Sequence, residues 1–171
     1  KLKVAAALAL LGEGHYREAA LKLQLVKVPP QAHGSSSFCS PEDVALYSAL
    51  LGLATMDRTH LSYYLEQQAA MLELVPALKE AIRHYIRAEY KPCLQIITSL
   101  PLQFDMYLAR HADKLVQLVR NRAYVDYLQP YQKVHLPHMA RTFGEDAALL
   151  QTSLAQLIGN GDIPCARINC Q

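Results

Sequence analysis

Between residues 115 and 168 the hydrophobic period changes repeatedly, and each change is marked by a residue that leaves the backbone little choice. Leu115, Val119, Ala123 and Tyr127 recur at helical spacing, and the long helix they describe, starting near Asp105, must stop at Pro130. Proline has no amide hydrogen to donate and disfavours helical geometry in the residue before it. Residues 131–135 are short, β-compatible and bounded by prolines, so they read as a strand. Pro137 suits the first turn of a helix that ends at Phe143, ahead of Gly144. Glu145 and Asp146 stand where the next helix favours negative charge, and Leu150, Leu154, Leu157 and Ile158 are spaced for one buried face. Gly159-Asn160-Gly161 closes that helix with residues that tolerate positive φ, and residues 163–168 are expected to return as a second strand.

Helix, strand, helix, helix, strand is the order of a winged helix, whose core is expected to comprise Met139, Phe143, Leu150, Leu154 and Ile158. Such a unit binds DNA, RNA or protein, so its third helix has to be questioned directly. A helix that reads DNA needs Arg or Lys for phosphates and Arg, Asn or Gln for base edges. From Ala147 to Gly161 there is no charged residue, and Glu145 and Asp146 just ahead would repel phosphate. Nucleic-acid readout is disfavoured and protein contact favoured. A two-stranded ribbon leaves amide and carbonyl groups unpaired along its outer edges. Gln132, Lys133 and Val134 on one strand, with Arg167 and Ile168 on the other, are therefore the expected partner-binding edge, where a neighbouring chain adds strands. Pro164 cannot donate to a ladder and confines pairing to the residues after it.

Upstream, the pattern is helix pairs. Val4, Leu8 and Leu11 share a face, Gly12-Glu13-Gly14 breaks the helix, and a second helix begins at His15-Tyr16-Arg17 with Leu23 and Val26 inward. Residues 29–37, with two prolines, a glycine and three serines, read as a loop, after which Ser40 caps a helix with Pro41, Glu42 and Asp43 in its first turn. Val44, Tyr47, Leu51 and Ala54 face Leu61, Tyr64, Leu65, Gln68 and Leu72 across a turn capped by Asp57. A third pair carries Leu78, Ile82, Tyr85 and Ile86, turns at Glu89-Tyr90-Lys91, and returns with Leu94, Ile97 and Leu100 before Pro101. Helix pairs cannot each bury an apolar stripe alone, so they are expected to stack as a solenoid resembling tetratricopeptide repeats. The expected fold is mainly α: a helical-repeat part over residues 1–104, continuous with a long helix and winged-helix part over residues 105–171.

Composition narrows the function. At 171 residues and 51% hydrophobic the chain can bury a sizeable core, and a net charge of +2 implies neither a nucleic-acid nor a membrane surface. Its longest apolar run, from Val4 to Leu11, is far shorter than the roughly 20 residues of a membrane span. Cys39, Cys93, Cys165 and Cys170 lack C-x-x-C spacing and read as free thiols of a reducing compartment, with the nucleus and cytoplasm as the expected location. Opening on Lys1 inside a helical pattern, the chain is expected to be an excised fragment.

No catalytic constellation emerges. The seven histidines include no His-x-His or H-E-x-x-H, and in His135-Leu136-Pro137-His138 the proline breaks ligand geometry. The serines at 35–37 lack a nucleophile elbow, Gly12-Glu13-Gly14 lacks the third glycine of a phosphate loop, and Cys93 near His84 reads as a small buried apolar side chain. No cofactor, metal or small-molecule substrate is expected. Arg110, Lys114, Arg120 and Arg122, against Asp113, make the long helix locally basic. This is either a solvated face with some pairing between helices, or a patch for an acidic protein partner or RNA.

Met139-Ala140-x-x-Phe143, followed by Leu150, Leu154-x-x-Leu157-Ile158, a glycine and an Ile-x-x-Ala-Arg-Ile strand, resembles the PCI-domain family. This is the helical-repeat plus winged-helix module of the proteasome lid, the COP-nine signalosome and translation initiation factor three. Within it, Ala54-Thr55-Met56-Asp57-Arg58, Asp105-Met106-Tyr107-Leu108-Ala109-x-His111 and Arg120-Asn121-Arg122-Ala123-x-x-x-Tyr127-x-x-Pro130-Tyr131 look most like the signalosome branch, with the lid branch second. The resemblance implies a scaffold that contacts other PCI subunits of a complex removing the ubiquitin-like modifier NEDD8 from cullins. It also implies that the isopeptidase chemistry resides in another subunit, whose zinc-binding Glu and His-x-His are absent here. The alternatives are a proteasome-lid scaffold and an RNA-binding PCI protein. A third wing strand and a C-terminal helix, through which such subunits join a helical bundle, are expected to lie beyond residue 171.

Overall fold

The computed structural model describes residues 2–26, 39–163 and 167–168, and among these it is helical and contains no strand. Helix α1 (Leu2–Gly12) packs on α2 (Tyr16–Gln24), burying Val4, Leu8 and Leu11 against Tyr16, Ala20 and Leu23. Helix α3 (Pro41–Thr55) starts at a capping box: the Ser40 hydroxyl accepts the Asp43 amide at 3.0 Å while the Asp43 carboxylate accepts the Ser40 amide at 2.8 Å. Between Val44 and Ala54 only Leu46 escapes full burial, as expected of a helix apolar all round. It lies against α2, α6 (Pro76–Ile86) and α8 (Ala112–Leu128), with α4 (Arg58–Gln67) and the short α5 (Ala69–Leu72) completing its surround. Asp57 caps α4 by accepting the His60 amide at 2.8 Å.

Helix α7 (Tyr90–Ser99) pairs with α6 and also touches α8 and α9 (Leu136–Phe143), and α10 (Ala147–Gly159) packs on α9 and α8. Gly144, at φ +70°, ends α9 in the left-handed region, and Asp146 opens α10 by accepting the Ala148 amide at 3.2 Å. One continuous core runs from Val4 to Leu157. Helix α8 is its spine, in contact with α3, α7 and α10.

Five expectations are corrected. The long helix begins at Ala112, not near Asp105: the Asp105 carboxylate accepts the amides of Tyr107 and Leu108 at 2.9 and 2.8 Å, which holds 105–111 as turns. Arg110 consequently lies ahead of the helix. The α6–α7 turn falls at 87–89, with Ala88 at φ +61°, because Tyr90 is buried inside α7. Residues 131–135 are an irregular link and no strand: β-compatible side chains do not make a strand without a paired backbone, and Val134 instead packs against the core. Of the expected returning strand, 164–166 lie outside the described residues, while Ile163, Arg167 and Ile168 are not in a strand. Finally, Leu157 takes the buried position on α10 and Ile158 is only half-buried. The expected loop at 29–37 and Cys165 and Cys170 also fall outside the described residues.

Candidate functional site

Two polar locks fix α8 and the turn that leads into it to the helices around them. In the first, the hydroxyl of buried Tyr47 on α3 donates to both oxygens of Asp105, at 3.1 and 2.9 Å, and the Tyr107 ring meets the Tyr47 ring edge-on. Burial, then the hydrogen bond to Asp105, raises the Tyr47 pKa, so the phenol stays a donor. Beside it, Tyr16 of α2 meets His111 at 3.0 Å, with the Lys114 ammonium 5.4 Å from the centre of the Tyr16 ring.

The second lock is a cluster of aromatic rings where α6, α7, α8 and α9 converge. Phe143 stacks on Tyr90 at 5.0 Å and meets Tyr124 and Tyr127 edge-on at 4.8 and 5.6 Å. Each buried hydroxyl finds a charged partner. Tyr85 donates to Asp126 at 2.8 Å, Arg58 donates to Tyr90, and Tyr124 donates to Glu145. Burial first, then the carboxylate, raises the pKa of Tyr85; Tyr124 follows the same order. Arg120 Nε lies 3.1 Å from Glu145 Oε1, close enough for an ion pair though not aligned as a hydrogen bond.

Outside these locks, a groove of about 540 Å³ runs between α8 and α10, lined by Gln117, Arg120, Asn121 and Tyr124 from α8, by Leu149, Thr152, Ser153 and Gln156 from α10, and by Glu145 and Asp146 just ahead of α10. Several of its polar side chains are already engaged: Gln117 donates to Asn121, and the Thr152 and Ser153 hydroxyls donate to backbone carbonyls of their own helix. Arg120 and Glu145 neutralise each other, so the groove presents no cationic track for phosphates.

The expected site residues are dispersed. Of the wing-edge set, Gln132, Lys133 and Arg167 are exposed, while Val134 and Ile168 pack against the core. Of the basic set, Arg120 is paired with Glu145, Lys114 lies over Tyr16, Arg110 is exposed in the preceding turn, and Arg122 is half-buried with an Nε that meets no acceptor. Met139, Phe143, Leu150 and Leu154 are buried and Ile158 half-buried. Of the residues that hold the joint, Tyr47 and Tyr85 were expected only to face inward, Tyr90 to lie in a turn, Asp105 to start a helix and Glu145 to favour a helix N-terminus, while Tyr124 and Asp126 had no assigned role; none was expected to bond across helices. The signal was there in ten tyrosines against three phenylalanines and no tryptophan, since a buried phenol needs an acceptor.

Among the described residues no group of three His, Cys, Asp or Glu is placed to hold a metal ion, and no helix is long and apolar enough to cross a membrane. Burial pushes the Cys93 thiol up to about 12, and the His84 ring is engaged with Glu89 at 2.5 Å. That thiol is inert.

Residues 94–170 match the family described as the PCI domain. The chain belongs to the PCI-domain family. Residues 1–63 match the family described as 26S proteasome subunit RPN7. The chain is 32% identical over 168 residues to COP9 signalosome complex subunit 1 of Neurospora crassa, covering 94% of this chain and 39% of that protein. To its namesake in Arabidopsis thaliana it is 33% identical over 174 residues, covering 99% of this chain and again 39% of the relative. The 26S proteasome regulatory subunit RPN7 of Saccharomyces cerevisiae is 30% identical over 146 residues, covering 79% of this chain and 34% of that subunit. The chain thus spans about two fifths of the length of the signalosome relatives. The PCI match starts inside α7 and takes in the whole of α8 to α10, so the aromatic joint lies across its beginning.

Proposed function

We propose that the chain is the PCI-bearing part of a non-catalytic scaffold subunit of a COP9 signalosome. It would organise the complex that removes NEDD8 from cullin-RING ubiquitin ligases through contacts between PCI domains. In this reading the helix pairs form a solenoid, residues from Ala112 onward form its winged-helix end, and the protein works in the cytoplasm and nucleus. The observation that carries it is the extent of the likeness, 94% and 99% of the chain, to relatives named as subunit 1 of that complex. The geometry supports it. A scaffold must hold its contact surfaces at fixed positions, and the two locks tie the turn at 105–111 to α2 and α3, and α8 to α6, α7 and α9, through side chains that are mostly buried.

A second reading, a proteasome-lid scaffold, draws on the match of residues 1–63 and on the yeast relative. Mass spectrometry of proteins co-purifying with the full-length chain separates the two. Signalosome subunits are expected; lid subunits in their place would favour the second reading. Salt-sensitive RNA in place of both would favour an RNA-binding PCI protein.

A further inference from the structure

The α8–α10 groove continues past α8. A second hollow, of about 290 Å³, lies between the end of α7 and the start of α8, and it shares Gln117 and Arg120 with the first, so the two meet along α8. Their joint lining holds three carboxylates, Asp113, Glu145 and Asp146, against the single guanidinium of Arg120. Glu145 spends its charge on Arg120. Asp113 and Asp146 are exposed, and among the described residues no cation lies within pairing distance of either. Lys114, although next to Asp113 in sequence, lies over the Tyr16 ring, and Asp146 gives one oxygen to the Ala148 amide at 3.2 Å and keeps the other. The groove is therefore net negative by two, in a chain whose formal charge is +2. Its walls also carry unspent amides. Gln103 and Gln156, one in each hollow, are exposed and have no hydrogen-bond partner among the described residues. The bond from Gln117 to Asn121 leaves the Gln117 side-chain oxygen and the Asn121 NH2 group free.

We propose that this groove holds an extended, basic segment of a neighbouring protein subunit, with one Lys or Arg beside Asp113 and another beside Asp146. The proposal deepens the scaffold reading above and rests on it for the partner being a subunit. Charge selects the ligand: two unpaired carboxylates attract cations and repel the phosphates of a nucleic acid. The amides select its conformation. A helix satisfies its own N–H and C=O groups, whereas an extended chain needs donors and acceptors from its host, and the unspent amides supply both. Length sets the spacing. From Asp113 to Tyr124, which donates to the Glu145 carboxylate next to Asp146, α8 rises about 16 Å. An extended chain covers that distance in about five residues, so the two cations should stand about that far apart. Between them half-buried Val116 and exposed Leu149 offer apolar contact to a side chain of the segment.

The test uses the full-length chain assembled with the other subunits of its complex. Asp113→Asn with Asp146→Asn removes both charges and keeps a capping side chain at the start of α10. Circular dichroism should match wild type, while one neighbouring subunit binds about tenfold more weakly and with a shallower dependence on salt. Gln156→Arg, an exposed change that touches neither helix start, should weaken the same subunit by placing a cation in the groove. With photoreactive benzoylphenylalanine in place of Gln156, irradiation should capture from that subunit a peptide carrying two Lys or Arg about five residues apart. Wild-type affinity for every subunit in both variants would overturn the groove and leave the scaffold reading standing; a wild-type chain that binds no subunit would overturn both. Capture of a peptide without those cations, of RNA, of a second copy or of another part of this chain would also overturn the proposal.

Discussion

Removing the Phe143 ring tests whether the aromatic joint holds α9 and α10 to the rest of the molecule. The side chain is buried, stacks on Tyr90 and meets Tyr124 and Tyr127 edge-on, so three of its neighbours belong to α7 and α8. Phe143→Ala forfeits the burial of a whole ring and leaves a cavity among side chains that cannot close it. Tyr90 is bonded to Arg58 and Tyr124 to Glu145, and moving either ring inward would strand a buried hydroxyl. Relaxation is therefore limited, and the loss should sit in the usual range for such truncations, about 3–5 kcal/mol. For a chain of this length that lowers the melting temperature by about 6–20 °C. With no tryptophan present, tyrosine fluorescence and circular dichroism during urea unfolding are the natural probes. Phe143→Leu, which keeps most of the apolar volume and none of the ring geometry, should fall between wild type and alanine. Hydrogen exchange should show α9 and α10 losing protection before α3 and α6. A loss under about 0.5 kcal/mol, the range of ordinary surface sites, would refute the argument that the joint carries this part of the fold.

Three further outcomes follow from particular contacts. Leu157→Ala should destabilise clearly more than Ile158→Ala, because only the former is buried; equal urea midpoints would mean that α10 is rotated from the position described. Asp57→Ala should cost about 1 kcal/mol by uncapping α4. The Asp57 pKa is lowered by the His60 amide and then the His60 ring, so this contribution is complete above the ordinary value of 3.8 and fades as the pH falls below it; an unchanged wild-type-to-variant difference in acid would contradict that. Cys93, with its thiol held up to about 12, should resist maleimide at pH 8 until the protein unfolds, and rapid labelling of its peptide under native conditions would show that α7 opens locally.

The helices were legible where a single residue fixes the backbone. Pro41, Asp57, Pro76 and Gly144 each act at a helix end through their own chemistry, and the ends fall where those residues stand. Legibility fails where an end is decided from far along the chain. The apolar spacing around Leu115 continues backward through Leu108, so the sequence alone extends α8 toward Asp105. The helix stops short because a tyrosine 58 residues upstream claims that carboxylate and pins the turn. The link at 131–135 fails for the converse reason: its residues favour an extended chain, but a strand is a relation between two backbones and its side chains report only one.

The basic stretch shows the same limit at the level of function. Four cations against one acid over 110–122 read as a patch only if none of them finds a partner elsewhere, and partners lie up to about a hundred residues away in the chain. Glu145, brought back by the α9–α10 turn, neutralises Arg120, and the Tyr16 ring from α2 lies beneath Lys114. Arg122 is drawn half inside, within electrostatic reach of Asp57 and Tyr85. What remains outside is Arg110 and the Lys114 ammonium, next to two apolar side chains that composition gave no reason to single out. Asp105 stands between those two side chains, Phe104 and Met106, and its carboxylate, which accepts from the Tyr47 hydroxyl and from the amides of Tyr107 and Leu108, is a second acid that a count over 110–122 leaves out.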